Sequence, residues 1–153
     1  MHVIWEVFGN AAIGAALMGW FIAQALKIPF YYAIERKWEL RRFWGSGGMP
    51  SSHSSMVVSL AIMVGFLEGF DTSFFAICVV LALIVMYDAA GVRREAGTQA
   101  TVINQILKEA IFKGKPISDE ELKELIGHTP LEVIAGLFVG LLTALGYWAL
   151  WVP

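Results

Sequence analysis

SFFAICVVLALIVMYDAAG, residues 73–91, reads as a helix made for hydrocarbon. From Phe74 to Tyr87 it carries no charged side chain, and its one acid is Asp88, close to the end. A spanning helix needs roughly 20 mostly apolar residues, which is the length of this run. Just upstream, Gly69, Asp71 and Thr72 have turn chemistry. Residues 54–70 form a second, shorter apolar segment, so the two runs are expected to pair as a tight helical hairpin. Residues 130–152 make another run of full spanning length. Residues 11–26 make a shorter one, which either begins there or extends back toward Val3 past Asn10 and Glu6.

These segments predict an all-α fold: a polytopic membrane helix bundle of about four transmembrane helices plus interfacial amphipathic helices, in one domain over residues 1–153. Composition agrees. Of 153 residues, 58% are hydrophobic and 16% charged, against about 45–50% and about 25% in soluble domains. Mean hydropathy is +0.65. The net charge of -2 supplies no basic bulk for nucleic acid. Cys78 stands alone within an apolar run, which excludes an internal disulfide framework and a cysteine-based metal site. The first 26 residues resemble a secretory signal only loosely. No Lys or Arg precedes Lys27, Glu6 sits where a basic region belongs, and further spans follow.

Two connecting segments are amphipathic. IPFYYAIERKWELRRFW, residues 28–44, mixes aromatics with charges, which suits a helix lying in the membrane interface or a polar loop. Ile103, Ile106, Leu107, Ala110 and Ile111 keep the i, i+3, i+4 rhythm of a second such helix. Ser118 and Glu121 have capping-box spacing for a short acidic helix that stops at Gly127.

All eleven Lys and Arg fall in the two connections that also carry the candidate site, and the 69–72 turn has none. The positive-inside rule then places both connections in the cytoplasm and both termini outside, in an integral multi-pass protein of the cell membrane. Lys27, His53, Asp88, Arg93, His128 and Glu132 all fall at span ends on that one side. Ionisable groups at membrane depth are costly and mark a site.

Three constellations carry the polar residues. In SGGMPSSHSS, residues 46–55, two glycines allow a tight turn, and Ser51 or Ser52 can cap the helix that follows. Backbone N–H groups at such a helix start favour an anion; the plainer reading is a Gly/Ser loop and a cap, to which His53 adds a titratable group. In GHTPLEVIAG, residues 127–136, Thr129, Pro130 and Glu132 fit N-cap, N1 and N3. His128 lies outside that pattern and can be oriented by the carboxylate of Glu132, as a nucleophile would be. In YDAAGVRREAG, residues 87–97, Arg93 and Arg94 offer forked donors for phosphate, or a pair that stops transfer. Asp88 serves as an arginine partner or a site residue.

PSSH at 50–53 resembles the PSGH motif of the type-2 phosphatidate phosphatase superfamily, which includes acid phosphatases and vanadium haloperoxidases. HTPLEVIAG at 128–136 is similar to its third motif, and SGGMPSSHSS, DAAGVRREAG and GHTPLEV look like its short, divergent branch over nearly the whole chain. The resemblance implies that His128 attacks phosphorus to form a phosphohistidine, that Glu132 orients it, and that His53 protonates the leaving oxygen. Backbone groups near Ser51 and Ser52 would hold phosphate oxygens, and no metal or cofactor is required. The first motif's Lys and Arg, seven residues apart, are not matched: Ile34 follows Lys27 at that distance, and Leu122 stands where an Arg precedes the nucleophile. Lys27, Arg42 and Arg93 are the replacement cations expected, with Arg94 beside them.

The function expected is a metal-independent membrane lipid phosphatase acting on a phosphomonoester or diphosphate. The alternative is a non-catalytic membrane protein that binds anionic lipid or a partner protein. Its expected partners are a lipid phosphate and the bilayer, with a homo-oligomer as a means of enclosing the pocket.

Overall fold

The computed structural model describes residues 6–7, 9–45, 47–91, 99–104, 106 and 129–152. Four long helices organise them: α1 (Ala11–Glu35), α2 (Ser52–Glu68), α3 (Ser73–Ala90) and α4 (Pro130–Trp151). A 3-10 helix, Leu40–Trp44, lies between α1 and α2. No strand occurs among the described residues, and α1, α3 and α4 are long and apolar enough to cross a membrane. α2, with 17 residues, is shorter, roughly 26 Å against a hydrocarbon core of roughly 30 Å.

Each helix starts where its sequence supplies a cap. Asn10 accepts from the amides of Ala12 and Ile13, Ser51 from Ser54, and Thr72 from Phe75. α4 opens on a full capping box with Pro130 in its first turn, as its spacing predicts. The expected hairpin of α2 and α3 forms through residues 69–72, where Phe70 packs edge-on against both Phe66 and Phe75.

The first span departs from expectation. It runs 25 residues, through Pro29, to an end at Arg36 in the left-handed region, whose N–H reaches the Tyr32 carbonyl. Residues 28–35 therefore extend α1 and do not begin an interfacial helix. Pro29 removes one backbone donor, a loss that membrane helices tolerate when neighbours support the chain. Here the returning chain gives that support: Trp38 stacks on Tyr32, and Gln24 and Lys27 donate to the carbonyls of Phe43 and Gly45. Of the second amphipathic segment, residues 99–104 and 106 are helical, with Ile103 and Ile106 exposed and Asn104 buried. Its remainder, with Ser118 and Glu121, lies outside the described residues.

Packing is inside-out relative to a soluble protein. The buried positions are mostly small, among them Ala15, Ala16, Ala23, Ala61 and Ala144, while Leu17, Phe21, Phe74, Ile77, Leu83 and Phe138 are exposed. A surface of large apolar side chains over a small-residue interior is what lipid-facing helices present, because close backbone approach is the attraction available between helices in hydrocarbon. α2 is the hub, touching α1, α3 and α4. Its serines recur every fourth residue: the Ser55 hydroxyl donates to the Gly19 carbonyl of α1 at 2.8 Å, and that of Ser59 to the Gly140 carbonyl of α4 at 2.9 Å. Gly136 and Gly140 complete this seam, since a Cβ at either would collide with the backbone of α2 at Ser51 or Ser55.

Candidate active site

The polar residues gather at the end of the bundle where α1 finishes and α4 begins. Lys27 is 97% buried, and its ammonium donates to the Gly45 carbonyl at 3.1 Å. The returning chain then carries Arg42 over the Tyr31 ring, its Cζ 4.2 Å from the centroid, with Nε donating to Glu39 at 3.1 Å. The Tyr31 side chain and then the Glu39 carboxylate hold this guanidinium above its already high ordinary value, so it stays a cation. From α4 comes Glu132, which acts electrostatically on Lys27. One of its oxygens accepts from the Thr129 amide at 2.9 Å, and the Thr129 hydroxyl accepts in return from the Glu132 amide.

Lys27, Tyr31, Arg42 and Glu132 line one cavity of about 170 Å³, together with Phe30, Ile34, Glu35, Gly47, Gly48 and Met49. Gly47 and Gly48 have φ of 98° and 83°, a left-handed backbone that side-chain-bearing residues disfavour. The glycine pair thus brings bare backbone to a pocket whose other polar walls are Lys27, Tyr31, Glu35, Arg42 and Glu132. Within it the ammonium of Lys27 and the forked guanidinium of Arg42 are donors of the kind that bind phosphate oxygens, and the carboxylates of Glu35 and Glu132 balance their charge.

Three of the residues singled out in the sequence therefore meet: Lys27, Arg42 and Glu132. Others do not line the cavity. Ser51 and Ser52 are buried in the packing of α2, the former with its amide donating to the Glu132 carbonyl at 2.9 Å and its hydroxyl capping the helix. The Ser51 backbone packs against Gly136 of α4, while Gly47 and Gly48, four residues earlier than the two serines, line the cavity. His53 is half-buried in the first turn of α2, two residues past the Ser51–Glu132 joint. Asp88 is half-buried in the last turn of α3 and stands outside the cavity lining. His128, Arg93 and Arg94 lie outside the described residues.

Gln24 was not singled out by sequence reading. It is buried one turn before Lys27, and its amide holds the Phe43 carbonyl at 2.8 Å, fastening the segment that carries Arg42. The available signal was a carboxamide within an apolar run, since such groups act as cross-links at membrane depth.

The fold defines a class: an all-helical bundle with apolar helices long enough to cross a membrane and a cavity of charged residues at one end. The chain belongs to the Divergent PAP2 family, whose sequence model matches residues 8–143. It is also 37% identical over 150 residues to the uncharacterized membrane protein YuiD of Bacillus subtilis (strain 168), covering 92% of this chain and 95% of that protein. No solved structure matches it.

Proposed function

We propose that this protein is a membrane lipid phosphate phosphatase working through a phosphohistidine. The observation that carries the reading is the cavity in which Lys27, Arg42, the Gly47–Gly48 backbone and Glu132 converge. Family membership supports the chemistry, and the apolar exterior supports a substrate that resides in the bilayer.

In this scheme the phosphoryl group sits between Lys27 and Arg42, which neutralise the charge that grows on its oxygens. A ring nitrogen of His128 attacks phosphorus, forming a P–N bond as the P–O bond to the lipid breaks. His53 gives its proton to the departing oxygen. Water then attacks phosphorus, the P–N bond breaks, and His53 takes the proton that the water loses. Glu132 orients His128 from the first turn of α4, four residues on. The site opens to the cytoplasm, in keeping with the Lys and Arg distribution.

Protein purified in detergent, given phosphatidate, phosphatidylglycerol phosphate or a polyprenyl diphosphate, should release inorganic phosphate from at least one of them. Vanadate should inhibit and chelators should not. His128→Ala should abolish turnover in a folded protein. Release that persists in that variant removes the nucleophile assignment, and release lost to EDTA and restored by a divalent ion replaces the scheme with a metal-assisted one.

A further inference from the structure

The cavity lined by Lys27, Arg42 and Glu132 is small. At about 170 Å³ the cavity is smaller than the roughly 300–1,000 Å³ of ordinary ligand pockets, so it takes a headgroup and leaves a hydrocarbon chain to be placed elsewhere. A second space of about 420 Å³ lies between α1 and α4, with almost wholly apolar walls.

Helix periodicity ties the two together. On α1, Met18, Ile22 and Leu26 line the groove, while Phe30 and Ile34 line the cavity. These five positions are spaced by four, so each is stacked one turn from the next in a row that winds gradually around α1. On α4, Glu132 lines the cavity and Val139 and Gly146 line the groove, at spacings of seven, two helical turns each. The open seam follows from packing: α1 and α4 each contact α2 more extensively than they contact one another. From Val139 to Trp151 the groove runs roughly 18 Å along α4, more than half of a hydrocarbon core of roughly 30 Å.

Resting on the phosphatase reading, we propose that the α1–α4 groove seats the hydrocarbon chain of the lipid phosphate whose headgroup occupies the Lys27–Arg42 cavity. A headgroup bound to cations at one end and a chain laid along the apolar stripe give a single ligand matched to both spaces. Selectivity for long chains over short ones is then a property of this seam.

Gly146 provides the test, because a Cβ there meets nothing within 4 Å. Gly146→Leu therefore projects into the groove without colliding with the bundle. Leu83→Trp, on the exposed face of α3, is the control. In phosphatidylcholine nanodiscs, phosphate release from dodecyl phosphate is compared with release from butyl phosphate. Gly146→Leu should lower the dodecyl-to-butyl ratio of kcat/KM by about threefold or more, because the displaced methylenes return to lipid and what is lost is their packing contacts with the groove. Leu83→Trp should leave the ratio unchanged. An equal fall for both substrates in Gly146→Leu overturns the groove assignment.

A dodecyl phosphate carrying a diazirine near its tail gives a readout independent of turnover. Photolabel should map to residues 18–26 and 139–151, and Gly146→Leu should reduce it. Label in the seam without phosphate release keeps the groove as a lipid-phosphate site and removes only hydrolysis. Label on α3 overturns the proposal. So does a seam that escapes labelling while Gly146→Leu breaks up a dimer, because a second copy of the chain then covers it.

Discussion

Gly136→Ala and Gly146→Ala place the same methyl group on the same helix, and the structure expects opposite outcomes. At Gly136 the new Cβ would overlap the Ser51 carbonyl and come within 2.9 Å of the Ser54 Cβ. Neither neighbour is the free end of a flexible side chain, so the seam between α2 and α4 has to open. Overpacking of this kind costs about 1–3 kcal/mol. The shift also strains the hydrogen bond from the Ser51 amide to the Glu132 carbonyl, for about another 1 kcal/mol. At Gly146 the methyl enters open space, leaving the helix-propensity gain of up to about 1 kcal/mol. The two variants should therefore differ by about 2–4 kcal/mol, with Gly136→Ala the less stable. Reversible unfolding in mixed detergent micelles, followed by helical circular dichroism, measures the difference. Equal stabilities would refute the close α2–α4 packing and with it the joint that sets Glu132 beside the cavity.

Lys27→Met should keep the fold, because a buried ammonium replaced by an apolar chain of similar length removes a desolvation cost along with one hydrogen bond. Its phosphate release should fall by about 10²–10³, and a folded variant with near-normal release removes Lys27 from the site. Glu132→Gln retains an acceptor for the Thr129 amide, so thermal stability should change by less than about 1 kcal/mol while turnover drops. Loss of stability at unchanged rate per folded molecule would leave Glu132 as a cap alone. In a Cys78→Ala background, a cysteine at Lys37 should react with an impermeant thiol reagent only after cells are permeabilised, and one at Asp71 should react in intact cells. Labelling of the Lys37 position from outside reverses the orientation and makes an outer-leaflet diphosphate the better substrate.

Hydropathy was enough to locate the helices, because a chain in lipid must satisfy its backbone within each segment, so apolar length alone marks a span. Hydropathy also placed the candidate site at one end of the bundle, since alternating spans bring the end of α1 and the start of α4 to the same side. Helix starts at Thr129 and Ser51 were legible because capping is local chemistry. The extent of α1 was not. Pro29 looks like a stop in one dimension, and what carries the helix past it is a set of bonds from Gln24 and Lys27 to a chain 18 or 19 residues later. The serines of residues 51–55 show the same limit. Their composition fits an anion loop, yet Ser51 and Ser55 belong to a stripe whose purpose depends on which glycines of α1 and α4 lie opposite. Sequence by itself determined that these residues form apolar helices, and it predicted that Lys27, His53 and Glu132 fall at one end of them. Only the tertiary structure decided that Lys27, Arg42 and Glu132 share a cavity and that the α1–α4 seam stays open, because both depend on which helix faces meet, and small residues draw α1 and α4 to α2 more closely than to each other.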